Sequence, residues 1–165
     1  MFSSKVESAL NEQLNAEFFS CYLYLSLSAH FQAQNLDGFA TWMRGQAREE
    51  LQHAMKFYDY INNRGGKIDL RQIEAPRSEW ESLVAGFDAA YEHEKGISVQ
   101  INQLVDLALT EADHATHQFL QWFVTEQVEE EQSVGNVVHK LKMVADSASG
   151  LYILDRELAE RTTAE

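Results

Sequence analysis

A chain of 165 residues with 45% hydrophobic content fits one globular domain spanning 1–165 and is too apolar for a disordered chain. Its 26 acidic residues against 13 Lys and Arg give a formal charge of −13, which argues against nucleic-acid and anionic-membrane partners and favours cations. One proline and abundant Ala, Leu, Glu and Gln point to an all-α protein. Cys21 stands alone, so no internal disulfide framework is possible, which suits a reducing cytoplasm. No basic segment followed by an apolar core opens the chain, so no secretory signal is expected. The longest apolar stretch, Phe18 to Phe31, is broken by Ser20, Ser26, Ser28 and His30 and is too short to span a bilayer.

In chain order, helical periodicity predicts a first helix from about residue 4 to 34, with Ser4 and Glu7 as a capping box. Asn35, Asp37 and Gly38 mark a short break, and a second helix runs to about Asn63. Arg64 to Arg77, with Gly65, Gly66 and Pro76, reads as an extended connection. Ser78 with Glu81 suggests the cap of a third helix, and a break at Glu111 to Asp113 leads to a fourth ending near Ala145. Ser147, Ser149 and Gly150 then set off a short helix from Leu151 to about Glu160. Short links within each helix pair imply two antiparallel hairpins, and the long connection between the pairs can travel the length of a bundle. The expected architecture is a four-helix bundle with one long crossover and a short fifth C-terminal helix.

The inward stripes carry residues that a core should lack. Steps of three and four give Leu10, Leu14, Glu17, Cys21, Tyr24 or Leu25, and Ser28 in the first helix. The second gives Phe39, Met43, Ala47, Glu50, Ala54, Phe57 and Ile61. The third gives Leu83, Phe87, Ala90, Glu94, Ile97, Ile101, Leu104 and Ala108, and the fourth Phe123, Gln127, Glu130, Val134, Val137 and Leu141. Each stripe has one glutamate near its middle. With turns near residues 36 and 112, Glu17 and Glu50 lie about 19 and 14 residues from theirs, and Glu94 and Glu130 each about 18. At roughly 1.5 Å per residue, each pair comes close to a common level. His53 follows Glu50 by three residues and shares its face.

Buried carboxylates are costly unless paired, and no Lys or Arg lies on these stripes. Shared protons could neutralise one or two of the four, and two divalent cations could balance all of them. Oxygen ligands with one imidazole suit iron, manganese or zinc better than calcium or magnesium. The pattern therefore reads as a dinuclear metal site. Glu49, Glu126 and Glu129 flank it, either as a solvated acidic surface or as an accessory metal position. Tyr24 is either a packed ring or a partner to a ligand and electron donor, and for Trp122 core packing is expected. His114, His117 and His139 show no ligand spacing and read as surface residues.

These residues together resemble the ferritin family over nearly the whole chain. The resemblance rests on Glu17 with Tyr24, Arg-Glu-Glu-Leu-Gln-His at 48–53, Asn-Arg-Gly-Gly-Lys-Ile at 63–68, Pro76 with Trp80, Glu94, and Phe-Leu-Gln-Trp-Phe-Val-Thr-Glu-Gln-Val-Glu-Glu-Glu at 119–131. The carboxylates combined with Glu49, Glu126 and Glu129 match the prokaryotic non-haem branch. The resemblance implies a ferritin-like bundle that stores and detoxifies iron, oxidising Fe(II) with O2 or H2O2 at a di-iron ferroxidase centre. It implies Glu17, Glu50 and His53 at one iron with Glu50 bridging, and Glu94 and Glu130 at the second with Gln127 alongside. A third iron would sit among Glu49, Glu126, Glu129 and the shared Glu130. It further implies a homo-oligomeric cage of 24 subunits with ferric mineral inside.

Two departures from relatives bear on this reading. Bacterioferritins have a histidine at the position of Glu130 and a haem-binding methionine at that of Gln52, so no haem is expected. Animal ferritins line their threefold channels with acids, and the corresponding positions here read as His117 and Leu120. A rubrerythrin-like oxidoreductase would call for a second ExxH in the last long helix or a Cys-rich module, and the sequence has neither. A non-enzymatic helical interaction protein would leave the acids on the surface.

Overall fold

The computed structural model describes residues 3–160; residues 1–2 and 161–165 lie outside the description. Five helices make up the fold: α1 Ser4–Gln32, α2 Asp37–Asn63, α3 Leu83–Thr110, α4 His114–Val144 and α5 Ala148–Ala159. The all-α bundle with one long crossover, between α2 and α3, is what the periodicity predicts, and no strand occurs among the described residues. No helix is long and apolar enough to cross a membrane.

The helix ends differ from the expected caps in instructive ways. Ser3, not Ser4, caps α1, its hydroxyl accepting from Val6 N at 3.3 Å. Glu7 does not close a capping box, because its carboxylate instead accepts from Lys67 N of the crossover at 2.9 Å. The third helix begins at Leu83 behind Ser82, not behind Ser78. Burial of Trp80 holds the chain in the crossover, and Arg77 Nε bonds Glu79 O there. The fifth helix begins three residues early, because Ser147 Oγ accepts from Gly150 N at 3.1 Å and draws Ser149 and Gly150 into its first turn.

One cap comes from far along the chain. The N-terminus of α2 has no local side-chain cap, and Asp155 of α5 accepts from Gly38 N at 2.9 Å and Phe39 N at 3.0 Å. A β-carbon at Gly38 would lie 1.6 Å from Asp155 O, so only glycine allows this approach. The crossover is tied to α1 by a ladder of side chains one helical turn apart. Asn11 Nδ2 donates to Lys67 O and its Oδ1 accepts from Asp69 N, while Asn15 does the same with Asp69 O and Arg71 N, all within 2.9 Å. One helix face thus serves as the partner of an extended strap.

Two apolar clusters fill the bundle. One, toward α5, includes Leu27, Phe31, Phe39, Met43, Phe87 and Leu141. The other, toward the far end, includes Leu10, Leu14, Phe57, Ile61, Ile101 and Phe123. The inward stripes hold with two exceptions, Cys21 and Leu83, which are half-buried; of the alternatives Tyr24 and Leu25, Tyr24 takes the core position and Leu25 is exposed. Between the clusters lies a polar layer.

Candidate metal centre

That layer is built by one turn from each long helix. Glu17, Glu50, His53, Glu94, Gln127 and Glu130 are each 4% exposed or less. Side chains three or four apart share a helix face, so the apolar residues above and below carry the carboxylates inward with them. Single ligand atoms of Glu17, Glu50 and His53 lie within 4.8 Å of one another, as do those of His53, Glu126 and Glu130. His53 stands between the two groups, with Nδ1 3.4 Å from Glu50 Oε2 and Nε2 3.6 Å from Glu126 Oε1. Glu94 joins neither group; it accepts from Tyr24 OH, and from Gln127 Nε2 at 3.2 Å.

Two amides that sequence reasoning missed belong to the layer. Gln13 Nε2 donates to Glu17 Oε1 at 2.7 Å, and Gln46 Nε2 to Glu130 Oε2 at 2.6 Å. The first was legible, since Gln13 precedes Glu17 by four residues on the same face. The second crosses from α2 to α4 and needed the fold. Half-buried His93 was also missed; it sits next to Glu94, with Nε2 2.7 Å from Ser20 Oγ and its ring perpendicular to that of Tyr24.

Of the flanking acids, Glu126 and Glu49 are half-buried and Glu129 is exposed. With Glu130 they line an open cavity of about 500 Å³ between α2 and α4. Trp122 is not core: it is 40% exposed, packs edge-on against His53, and carries Lys56 Nζ 4.4 Å above its ring. His114 and His139 are exposed, and His117 is half-buried beside Gln121. Leu120 is fully buried.

Electrostatics divide the layer sharply. Burial pushes the Glu17 carboxyl up to about 7. Burial, then the charges of Glu94, Glu17 and Glu130, push Glu50 well above its ordinary range. Glu94 is raised by burial and partly held back by Tyr24 and Gln127. Burial, then the neighbouring carboxylates, raise the Tyr24 phenol, so it remains a donor. Burial lowers His53 to about 4, with Lys56 adding to the effect, so its imidazole is neutral and can ligate at neutral pH. Apart from each other's carboxyl group, Glu17 Oε2 and Glu50 Oε1 have no hydrogen-bond partner. Buried polar atoms are almost always partnered, so two orphaned oxygens beside a neutral imidazole are a fit for a cation.

A four-helix bundle that replaces one layer of its core with convergent carboxylates and an imidazole belongs to the metal-binding class of helical bundles. A family profile described as ferritin-like domain matches residues 7–144. The chain is 40% identical to the bacterial non-heme ferritin of Bacteroides fragilis over 161 residues, 98% of this chain and 100% of that one. It is 38% identical to that of Campylobacter jejuni, covering 94% and 93%. Among solved structures, an open-pore ferritin from Archaeoglobus fulgidus matches with TM-score 0.97 and 47% identity, over 98% of this chain and 99% of that one. A closed form of the ferritin from that organism, engineered by mutagenesis, matches with TM-score 0.98 and 47% identity, over 99% and 100%. The chain belongs to the ferritin family, as the sequence resemblance led us to expect, and is an iron-storage, metal-binding protein of its non-haem kind.

Proposed function

We propose that this chain is a ferroxidase that oxidises Fe(II) with O2 or H2O2 and deposits the ferric product inside a homo-oligomeric cage of 24 copies. The observation that carries the reading is the set of buried carboxylates with raised proton affinity, two of them presenting unpartnered oxygens. In this reading Glu17, Glu50 and His53 hold one substrate iron, with Glu50 bridging to a second held by Glu94 and Glu130. Gln127 hydrogen-bonds Glu94 and flanks that second position. Glu49, Glu126 and Glu129, with Glu130, form the third position.

Fe(II) binding displaces the protons that burial keeps on Glu17 and Glu50, so two dications enter a site that becomes anionic as they arrive. Each iron then gives up one electron. With O2, two electrons and two protons yield H2O2; with H2O2, the O–O bond breaks and two waters form. Hard anionic oxygens favour the ferric state, and two adjacent irons let the electrons leave as a pair. Tyr24, hydrogen-bonded to Glu94, holds that carboxylate toward α1.

The test is aerobic stopped-flow absorbance after adding a few Fe(II) per subunit to metal-free protein. A fast phase saturating near two or three irons, lost in Glu50→Ala and His53→Ala while both variants still assemble, is the expected result. Unchanged kinetics in both variants would overturn the assignment.

A further inference from the structure

The polar layer is flanked by two cavities of opposite character. The one between α2 and α4 is lined by Glu49, Glu126, Glu129 and Glu130, and so many carboxylates concentrate cations. The other, about 350 Å³, lies between α1 and α3. Its polar lining is the amides of Gln13, Gln100 and Gln103 with the single carboxylate of Glu12; Ala16 and Leu104 are among its apolar walls. Gln100 and Gln103 are exposed at its mouth, whereas Gln13 is its most deeply buried lining residue, 3% exposed. The Gln13 amide is also the one that donates to Glu17 Oε1. The Gln13 side chain therefore touches both this cavity and the paired carboxylates.

Amides offer donors and acceptors without charge. They can replace the hydrogen bonds of a small neutral molecule, but they give a hydrated dication little to offset the water it must shed. We propose that the α1/α3 cavity admits the uncharged oxidant, H2O2 or O2, with Gln13 as its gate, while Fe(II) arrives from the acidic α2/α4 side. The inference rests on the ferroxidase reading above. The two electrons and two protons are accounted for as above.

The experiment loads assembled, metal-free protein with two Fe(II) per subunit under anaerobic conditions and mixes it with H2O2 or O2 at several concentrations. Gln103→Trp fills the cavity from its exposed wall without touching Glu17. The second-order constant for at least one oxidant should fall by about fivefold or more, with anaerobic Fe(II) affinity by calorimetry unchanged. Gln13→Ala removes the gate and should raise the same constant, the opposite sign to that of mere structural damage. An unchanged constant for both oxidants in Gln103→Trp, or a fall in Gln13→Ala at unaltered Fe(II) affinity, overturns the proposal. Wild-type protein that binds Fe(II) and does not oxidise it overturns the ferroxidase reading itself, and this inference with it.

Discussion

Replacing Glu17 by Gln should stabilise the metal-free protein above neutral pH and leave it unchanged in acid. Glu17 is buried, with Oε1 held by the Gln13 amide at 2.7 Å and Oε2 unpartnered. Burial raises its carboxyl from 4.5 to about 7. Below the unfolded value both states hold the proton and the residue costs nothing. Between the two values the unfolded chain has released its proton while the folded chain retains it, so stability falls as pH rises. Above the folded value the loss is complete. A shift of this size, at about 1.4 kcal/mol per pH unit, corresponds to roughly 3 kcal/mol as an order of magnitude. Glutamine keeps the shape and an acceptor for Gln13, and its amide can donate to the orphaned Glu50 Oε1. Denaturant unfolding with chelator present should therefore show Glu17→Gln more stable by about 2–3 kcal/mol near pH 8 and indistinguishable near pH 4. Saturating divalent cation should reverse the ranking, because the metal needs the carboxylate. A gain of equal size at both pH values would trace to packing rather than ionisation and refute the reasoning.

Four further outcomes follow from the fold. Gly38→Ala should undock α5, because its methyl would meet Asp155 O at 1.6 Å; hydrogen exchange should show protection lost over 148–159 and kept in α1 to α4. Asp155→Ala removes only the cap and should cost about 1 kcal/mol in unfolding experiments, less than the glycine change. Ala112 sits at φ 53 in the α3–α4 turn, so Ala112→Gly should raise stability by about 0.5–1 kcal/mol, read as a higher Tm. Asn11→Ala breaks two rungs between α1 and the crossover, which should cost about 1–3 kcal/mol and speed amide exchange at Asp69.

By itself the sequence determined the helices, the stripes and the residues that turn inward. Those features depend on a period of 3.6 residues, which a local string encodes completely: Glu17, Glu50, Glu94 and Glu130 are buried because apolar residues three and four positions away are. The family was equally legible, since its motifs are runs of neighbours such as 48–53 and 119–131. Helix starts were less so. Ser3 and Ser82 won over Ser4 and Ser78 because Glu7 and Trp80 were drawn into contacts with remote parts of the chain. Only the tertiary structure decided which groups meet across the bundle. The Gln46 amide on Glu130, Asp155 on the start of α2, and Tyr24 on Glu94 join residues between 70 and 117 positions apart. It also decided that Trp122 stands at the surface and Leu120 in the core, since two residues turn a helix by about 200° and so to its opposite face. Hydrogen-bond partners are set by distances of a few tenths of an ångström between elements, and no periodicity along one chain segment carries that information.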